Sequence, residues 1–159
     1  MAKLCEDWEN AAKPIGQNAK LSILRIGLYL SKNGGVYATL GKVAKFYIAS
    51  AFGNGKMYAN YTHKDEFAKL VEQLFANKMN PGVYNIVGEN PFQMNDFIAD
   101  IAQNVGAKAW LPNIPVFLLK LALGEMSATL LNSYRVTSPK LKAAKFHIYK
   151  TTKEALKEL

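Results

Sequence analysis

From Ala2 to Ala12 the apolar positions Leu4, Cys5, Trp8, Ala11 and Ala12 recur at helical spacing, and Pro14 with Gly16 stops the pattern. This predicts an opening helix with the Cys5 thiol half-buried beside Leu4 and Trp8. Leu21 to Leu30 reads differently. It is a nearly continuous apolar run rich in Ile and Leu, bounded by Asn18 before it and by Ser31-Lys32-Asn33-Gly34-Gly35 after it, which predicts one strand buried on both faces. Val36 to Ala51 returns to helical intervals through Val36, Leu40, Val43, Phe46, Tyr47 and Ala51, and Gly53-Asn54-Gly55 predicts a turn before a short extended stretch from Met57 to Thr62.

The clearest amphipathic helix is Lys64 to Asn77, with Phe67, Ala68, Val71, Leu74 and Phe75 on one stripe and Lys69, Glu72 and Gln73 off it. Pro81-Gly82 turns the chain into a second strand, Val83 to Val87. A further helix over Met94 to Val105 presents Phe97, Ile98, Ile101, Ala102 and Val105, with Asn95 or Gln93 placed to cap it. Buried-type strands separated by helical crossovers predict parallel pairing in an α/β sheet. After Trp110 the pattern changes: Pro112, Pro115, an apolar helix to Leu123, Gly124, a second helix to Asn132, then short basic pieces up to Leu159. The expected division is therefore residues 1–109 for the sheet-bearing part and 110–159 for a small, mostly helical lobe.

Two long strands make a sheet too narrow for the apolar faces of four helices, and an isolated parallel pair is rarely stable. The expectation is that something else completes the sheet, either a partner chain or a further part of a longer protein.

Composition narrows the class. At 159 residues, 50% hydrophobic and 20% charged, the chain is long enough to bury a core as one soluble domain. The single cysteine forms no internal disulfide, which fits a reducing cytoplasm. No apolar run approaches the ~20 residues that span a bilayer, because Arg25 and Lys120 interrupt the two longest, and Glu6, Asp7 and Glu9 stand where a signal peptide has its apolar core. The net charge of +8 comes almost entirely from lysine, with only Arg25 and Arg135 as arginines. Without interleaved arginines and aromatics, a nucleic-acid surface is the third-ranked reading.

Phosphate-gripping glycines are the first chemistry to seek in an α/β chain, since close backbone approach and a helix N-terminus together bind pyrophosphate. They are missing. Gly53-Asn54-Gly55 precedes an extended segment, and Gly41-Lys42 is followed by Val43 where a P-loop needs Ser or Thr. Tyr149 and Lys153 match the Tyr-x-x-x-Lys spacing of a proton-transfer pair, but Thr152 reads as an N-cap that sets Tyr149 outside the last helix, so no catalytic role is assigned to it. With His63 and His147 as the only histidines, a histidine-rich metal site is excluded. His63 lies at the junction of an extended segment and a helix, where it either faces a cleft or makes a helix-entry hydrogen bond. Arg25, inside a buried-type strand, needs a carboxylate partner or a place at the strand's carboxyl end, where ligands of open α/β sheets bind.

In order along the chain, Trp8-Glu9, Arg25-Ile26-Gly27 with Gly34-Gly35, Gly53-Asn54-Gly55, Tyr61-Thr62-His63-Lys64-Asp65 and Gly82-Val83-Tyr84-Asn85 resemble the back half of NAD(P)-dependent epimerase/dehydratase-like proteins, a group of extended short-chain dehydrogenases. The tail is more specific. Pro112 and Pro115, Leu121 to Glu125, Leu130 to Val136, Pro139-Lys140-Leu141 and Ala155-Leu156 resemble the C-terminal domain of the sugar-nucleotide-epimerase subfamily. Departures are Tyr61 in place of Trp, Glu66 in place of Asp, and Lys145 in place of Gly.

The resemblance implies an α/β fold that is the back half of a Rossmann-like parallel sheet, joined to a mostly helical C-terminal lobe. It implies that the first strands, the glycine fingerprint and the catalytic tyrosine belong to an upstream half. Arg25, Gly27, Leu28 and Tyr29 would then lie against the nicotinamide end of an NAD(P) cofactor, bound only with that missing half. Gly34, Gly35, His63, Asp65, Glu125 and Arg135 would border the substrate cleft, with a Glu125–Arg135 scaffold ion pair as the structural alternative.

The expected function is the C-terminal part of an oxidoreductase/epimerase-like protein acting on a sugar nucleotide or similar small molecule, inactive alone. The alternative is a non-catalytic protein-binding or regulatory module that pairs through its sheet edge with a partner chain or a second copy of itself.

Overall fold

The computed structural model describes residues 2–17 and 19–159. Helix α1 (Ala2–Ala12) runs into a 3-10 turn. Strands β1 (Ile23–Ile26) and β2 (Leu28–Ser31) follow, then α2 (Gly35–Lys45). Strands β3 (Tyr58–Ala59) and β4 (Tyr61–His63) lead into α3 (Lys64–Phe75). After β5 (Val83–Ile86) come β6 (Phe92–Gln93) and α4 (Met94–Asn104). The remainder is helical: α5 (Val116–Leu123), α6 (Ser127–Leu131), α7 (Pro139–Ala143) and α8 (Thr152–Lys157).

The run from Leu21 to Leu30 is not one strand but two, because Gly27 breaks it. β1 pairs in parallel with β5, setting Arg25 against Asn85 and Ile26 against Ile86, while β2 pairs in parallel with β4. Gly27 is required at the break. A Cβ there would stand 2.4 Å from the Asn60 carbonyl oxygen, to which the Leu28 amide donates at 2.8 Å. The two pairs are tied by Thr62, whose hydroxyl accepts from the Gly27 amide at 2.8 Å and donates to the Ile86 carbonyl. The extended stretch near residue 60 thus supplies a third partner in the parallel set.

Other expectations shift for local reasons. β1 is not buried on both faces: Arg25 and Ile26 are exposed. α2 stops at Lys45, and Tyr47 turns left-handed at φ 60°, which strands Phe46, Tyr47 and Ile48 at the surface. Cys5 is exposed rather than half-buried, because the face of α1 bearing Leu4 and Trp8 packs on little of the chain. Gln93 occupies the N-cap of α4 without capping it, spending its side-chain amide on the Tyr58 hydroxyl at 2.9 Å, and Asn95 follows inside the helix. Thr151, not Thr152, caps α8 by accepting from the Glu154 amide at 3.3 Å.

Two apolar clusters hold these pieces. The larger gathers Leu30, Tyr61, Phe92, Phe97, Ile98, Ile101 and Leu156, with the rings of Phe92 and Phe97 stacked 4.3 Å apart. The smaller joins Leu70 of α3, Tyr84 and Ile86 of β5, and Leu141 of α7. Each fully buried Leu, Ile or Phe contributes roughly 1.5–3 kcal/mol, so Leu141 fastens α7 to α3 and β5, and Leu156 fastens α8 into the larger cluster. This is a mixed α/β fold with short parallel strands flanked by helices. Among the described residues no helix is long and apolar enough to cross a membrane.

Candidate functional site

Open α/β sheets bind ligands beyond the carboxyl ends of their strands, since the loops diverge there and leave a crevice. In this chain the ends of β1 and β5 open into a cleft of about 540 Å³ whose lining includes Arg25, Gly27, Leu28, Asn60, Asn85 and Tyr134. Its mixed apolar and amide surface is the kind that holds a small organic ring while fixing its orientation through a few polar groups. The segment after α6 closes one side: the Tyr134 amide donates to the Tyr58 carbonyl at 2.8 Å, bringing residues 132–136 over β3.

Arg25 shows both features that its place in a strand demanded. It stands near the carboxyl end of β1, and its Nε and Nη2 reach the two carboxylate oxygens of Glu9 at 2.6 and 2.7 Å, pinning α1 beside the cleft. That bidentate pair holds the Glu9 carboxyl below its ordinary range and raises the guanidinium. Both groups remain at the surface, so the pair fixes geometry more than stability.

Asn60 is the polar residue that organises the floor. Only 5% exposed, it accepts from the Val136 amide at 2.9 Å and donates to the Val136 carbonyl at 3.1 Å. This two-way clamp aligns the segment around Val136 with the extended chain at Asn60. Sequence reasoning passed over Asn60, although a buried amide between Ala59 and Tyr61 in an extended stretch needs such partners.

Of the residues expected near a ligand, Arg25, Gly27 and Leu28 line this cleft, and Tyr29, Gly34, Gly35, His63, Asp65, Glu125 and Arg135 do not. Tyr29 packs edge-on against Phe67 with ring centres 6.3 Å apart. Gly34 and Gly35 form the tight turn from β2 into α2, bridged to Ser31 and Leu30. Glu125 is exposed in the turn between α5 and α6. No Glu125–Arg135 ion pair forms among the described residues. The Arg135 guanidinium instead lies 3.7 Å from the centre of the Tyr58 ring, a cation–π contact at the cleft margin.

His63 is fully buried and serves as the N-cap of α3. Its Nδ1 accepts from the Asp65 amide at 3.2 Å, while Glu66 returns the favour by accepting from the His63 amide at 3.3 Å, a reciprocal capping box. Of the two readings left open by the sequence, the geometry shows the helix-entry hydrogen bond. Nδ1 is therefore the acceptor, and the buried Nε2 has no hydrogen-bond partner. Burial lowers the pKa of His63, and Asp65 acts against it. Tyr149 lies edge-on to the imidazole with centres 4.9 Å apart, and sits before α8 rather than on a helix face shared with Lys153.

A dinucleotide needs a pyrophosphate grip as well as a ring pocket. The Gly53-Asn54-Gly55 loop does not provide it, since the Gly53 and Gly55 amides are spent on the carbonyls of Ile114 and Phe52. The cleft's lining suits a small organic ring, and the Gly53-Asn54-Gly55 loop adds no pyrophosphate grip to it.

Residues 114–159 match the domain of unknown function DUF1731. Over its full length the chain is 27% identical to the chloroplastic epimerase family protein SDR39U1 homolog of Arabidopsis thaliana, of which it covers 46%. It is 26% identical to the epimerase family protein SA0724 of Staphylococcus aureus, of which it covers 53%. The chain spans about half the length of the curated relatives it matches. The structure of human epimerase family protein SDR39U1 with NADPH aligns at a TM-score of 0.76 and 22% identity, over 86% of this chain and 47% of that one. UDP-glucose 4-epimerase from Thermus thermophilus with NAD aligns at 0.67 and 18% identity, over 94% and 49%. These likenesses confirm the Rossmann-like fold. In sequence and in fold the chain is therefore similar to the C-terminal part of epimerase family proteins, with its residues 114–159 matching DUF1731.

Proposed function

We propose that this chain forms the nicotinamide-side wall and the substrate lobe of an NAD(P)-dependent, epimerase-like oxidoreductase acting in the cytoplasm on a sugar nucleotide or similar small molecule. It is inactive without the half that grips the dinucleotide. The observation that carries this reading is the cleft at the carboxyl ends of β1 and β5, which opens beside a β1 edge with no strand on its other side among the described residues. Arg25, Gly27 and Leu28 border the nicotinamide ring in this reading, and Arg135 on Tyr58 borders the substrate. Residues 1–109 act as the rear sheet and residues 110–159 as the lobe. The missing pyrophosphate grip accounts for the need for an upstream half, and the human and Thermus structures hold NADPH and NAD respectively.

Thermal unfolding with NADPH and NADH tests it. The expected result is no shift for the 159-residue chain and an upward shift once a polypeptide bearing the family's N-terminal half is fused or supplied to it. An equal shift for the chain alone, or none for the joined protein, overturns it.

The free β1 edge and the exposed Leu4, Trp8 and Ile15 beside it also favour a second reading, a binding or regulatory module whose partner completes the sheet. A joined protein that assembles but ignores both nucleotides supports that reading.

A further inference from the structure

A second hollow of about 510 Å³, bordered by Pro139 and Lys142 of α7, shares no lining residue with the cleft. Lys142, Lys145 and Lys150 border it, and Phe146 and Ile148, half-buried and packed against the smaller apolar cluster, line its floor. Among the residues lining it Glu89 is the one carboxylate, and Lys142 already stands 3.4 Å from it. Neither Lys145 nor Lys150 is paired with a carboxylate among the described residues. The rim therefore carries a net positive charge over an apolar floor.

Lys145 adds a second, independent observation. It follows the C-cap of α7 with φ 52°, and the Phe146 amide closes the helix end on the Leu141 carbonyl at 3.0 Å. Glycine is the ordinary occupant of such a left-handed position, because a Cβ is strained there. A long cation held at that position faces the hollow instead. Its charge favours the end of α7, as the helix dipole predicts, but a lysine in the preceding helical turn would do as much without strain.

The geometry points to a binding site for a small phosphate monoester, with the lysines taking the phosphate as point charges and Phe146 and Ile148 taking an apolar or aromatic body. The site is separate from the cofactor cleft and does not depend on an upstream half. Its failure would leave the proposed function untouched.

Isothermal titration of the 159-residue chain with phenyl phosphate and with inorganic phosphate tests it. Phenyl phosphate is expected to bind one to one and more tightly than inorganic phosphate. The triple variant Lys142→Gln, Lys145→Gln, Lys150→Gln is expected to weaken binding about tenfold, the sum of three exposed charge contacts. Lys3→Gln, Lys32→Gln, Lys108→Gln, which removes the same charge from exposed positions elsewhere, is expected to leave affinity within about twofold. Lys145→Gly is expected to raise the melting temperature by about 2–4 °C while weakening phenyl phosphate binding.

Equal losses in the two triple variants, or undiminished binding by Lys145→Gly, overturn the site. No binding up to about 10 mM, a very weak affinity by any standard, does so as well. Binding of a single-stranded oligonucleotide by these lysines without binding of phenyl phosphate replaces it with a nucleic-acid surface.

Discussion

Glu66 and Tyr149 are 83 residues apart, and the Glu66 carboxylate accepts the Tyr149 amide at 2.5 Å. The same carboxylate accepts the His63 amide through its other oxygen. One buried acid thus caps α3 from within and staples the C-terminal segment to its first turn. Burial raises its pKa, and the two amide bonds pull the other way.

Removing this staple exposes two orphaned donors. Glu66→Ala is expected to cost about 2–6 kcal/mol, since each of the two buried unsatisfied donors costs about 1–3 kcal/mol. Glu66→Gln keeps an acceptor and is expected to cost less. Glu66→Asp is one methylene shorter, keeps the short-range capping bond and loses the reach to Tyr149. Urea denaturation of the three variants checks the order Ala worse than Asp, and Asp worse than Gln.

His63 makes stability fall below pH 6.5. Its folded-state pKa is lowered by burial, so between that lowered value and the unfolded 6.5 the unfolded chain binds more protons. Stability contributed by the neutral ring is present above pH 6.5 and is lost as pH falls through the folded value. Glu66 runs in the opposite sense, because its raised pKa makes the folded state bind more protons above 4.5. His63→Asn retains a side-chain acceptor for the Asp65 amide without the titration. The drop in unfolding free energy between pH 7.5 and 5.5 is expected to be smaller in His63→Asn than in the wild type, whatever the variant's absolute stability.

Helical stripes were legible in the sequence because a 3.6-residue period survives without knowledge of partners: α3 and α4 end within two residues of their expected bounds. The break at Gly27 was not. The apolar run from Leu21 to Leu30 does not by itself show that one strand leaves Val83–Ile86 at Gly27 for the next to join Tyr61–His63, since that choice is made by residues 60 and 33 positions away. The cleft was half legible for the same reason. Arg25, Gly27 and Leu28 lie on one strand ending, whereas Asn60, Asn85 and Tyr134 meet them only after three distant segments have packed.

Gly27 should tolerate nothing larger. A methyl group there meets the Asn60 carbonyl oxygen at 2.4 Å and its carbon at 2.8 Å, both backbone atoms that move only with the strand. Gly27→Ala is expected to cost about 1–3 kcal/mol or more. Gly34→Ala is the control, because nothing lies within 4 Å of its added carbon and its φ of 173° is ordinary extended backbone. Thermal denaturation of both variants should show a large drop for the first and little change for the second.

The β1 edge and α1 leave apolar surface that a lone chain has no means to cover: Trp8 is 68% exposed, Ile15 59% and Ile26 52%. Unpaired strand edges beside such residues template association with other chains. The isolated chain is therefore expected to self-associate as its concentration rises, and sedimentation equilibrium measures this directly. Ile26→Lys places a charge on the edge strand, and Trp8→Lys places one on the helix beside it. Both side chains are mostly exposed, so the variants should unfold at nearly the wild-type temperature while shifting the equilibrium toward monomer. They should also weaken capture of the family's N-terminal half supplied as a separate polypeptide. Self-association that survives both substitutions would place the contact elsewhere, and loss of self-association with full capture of the N-terminal half would separate the two interfaces.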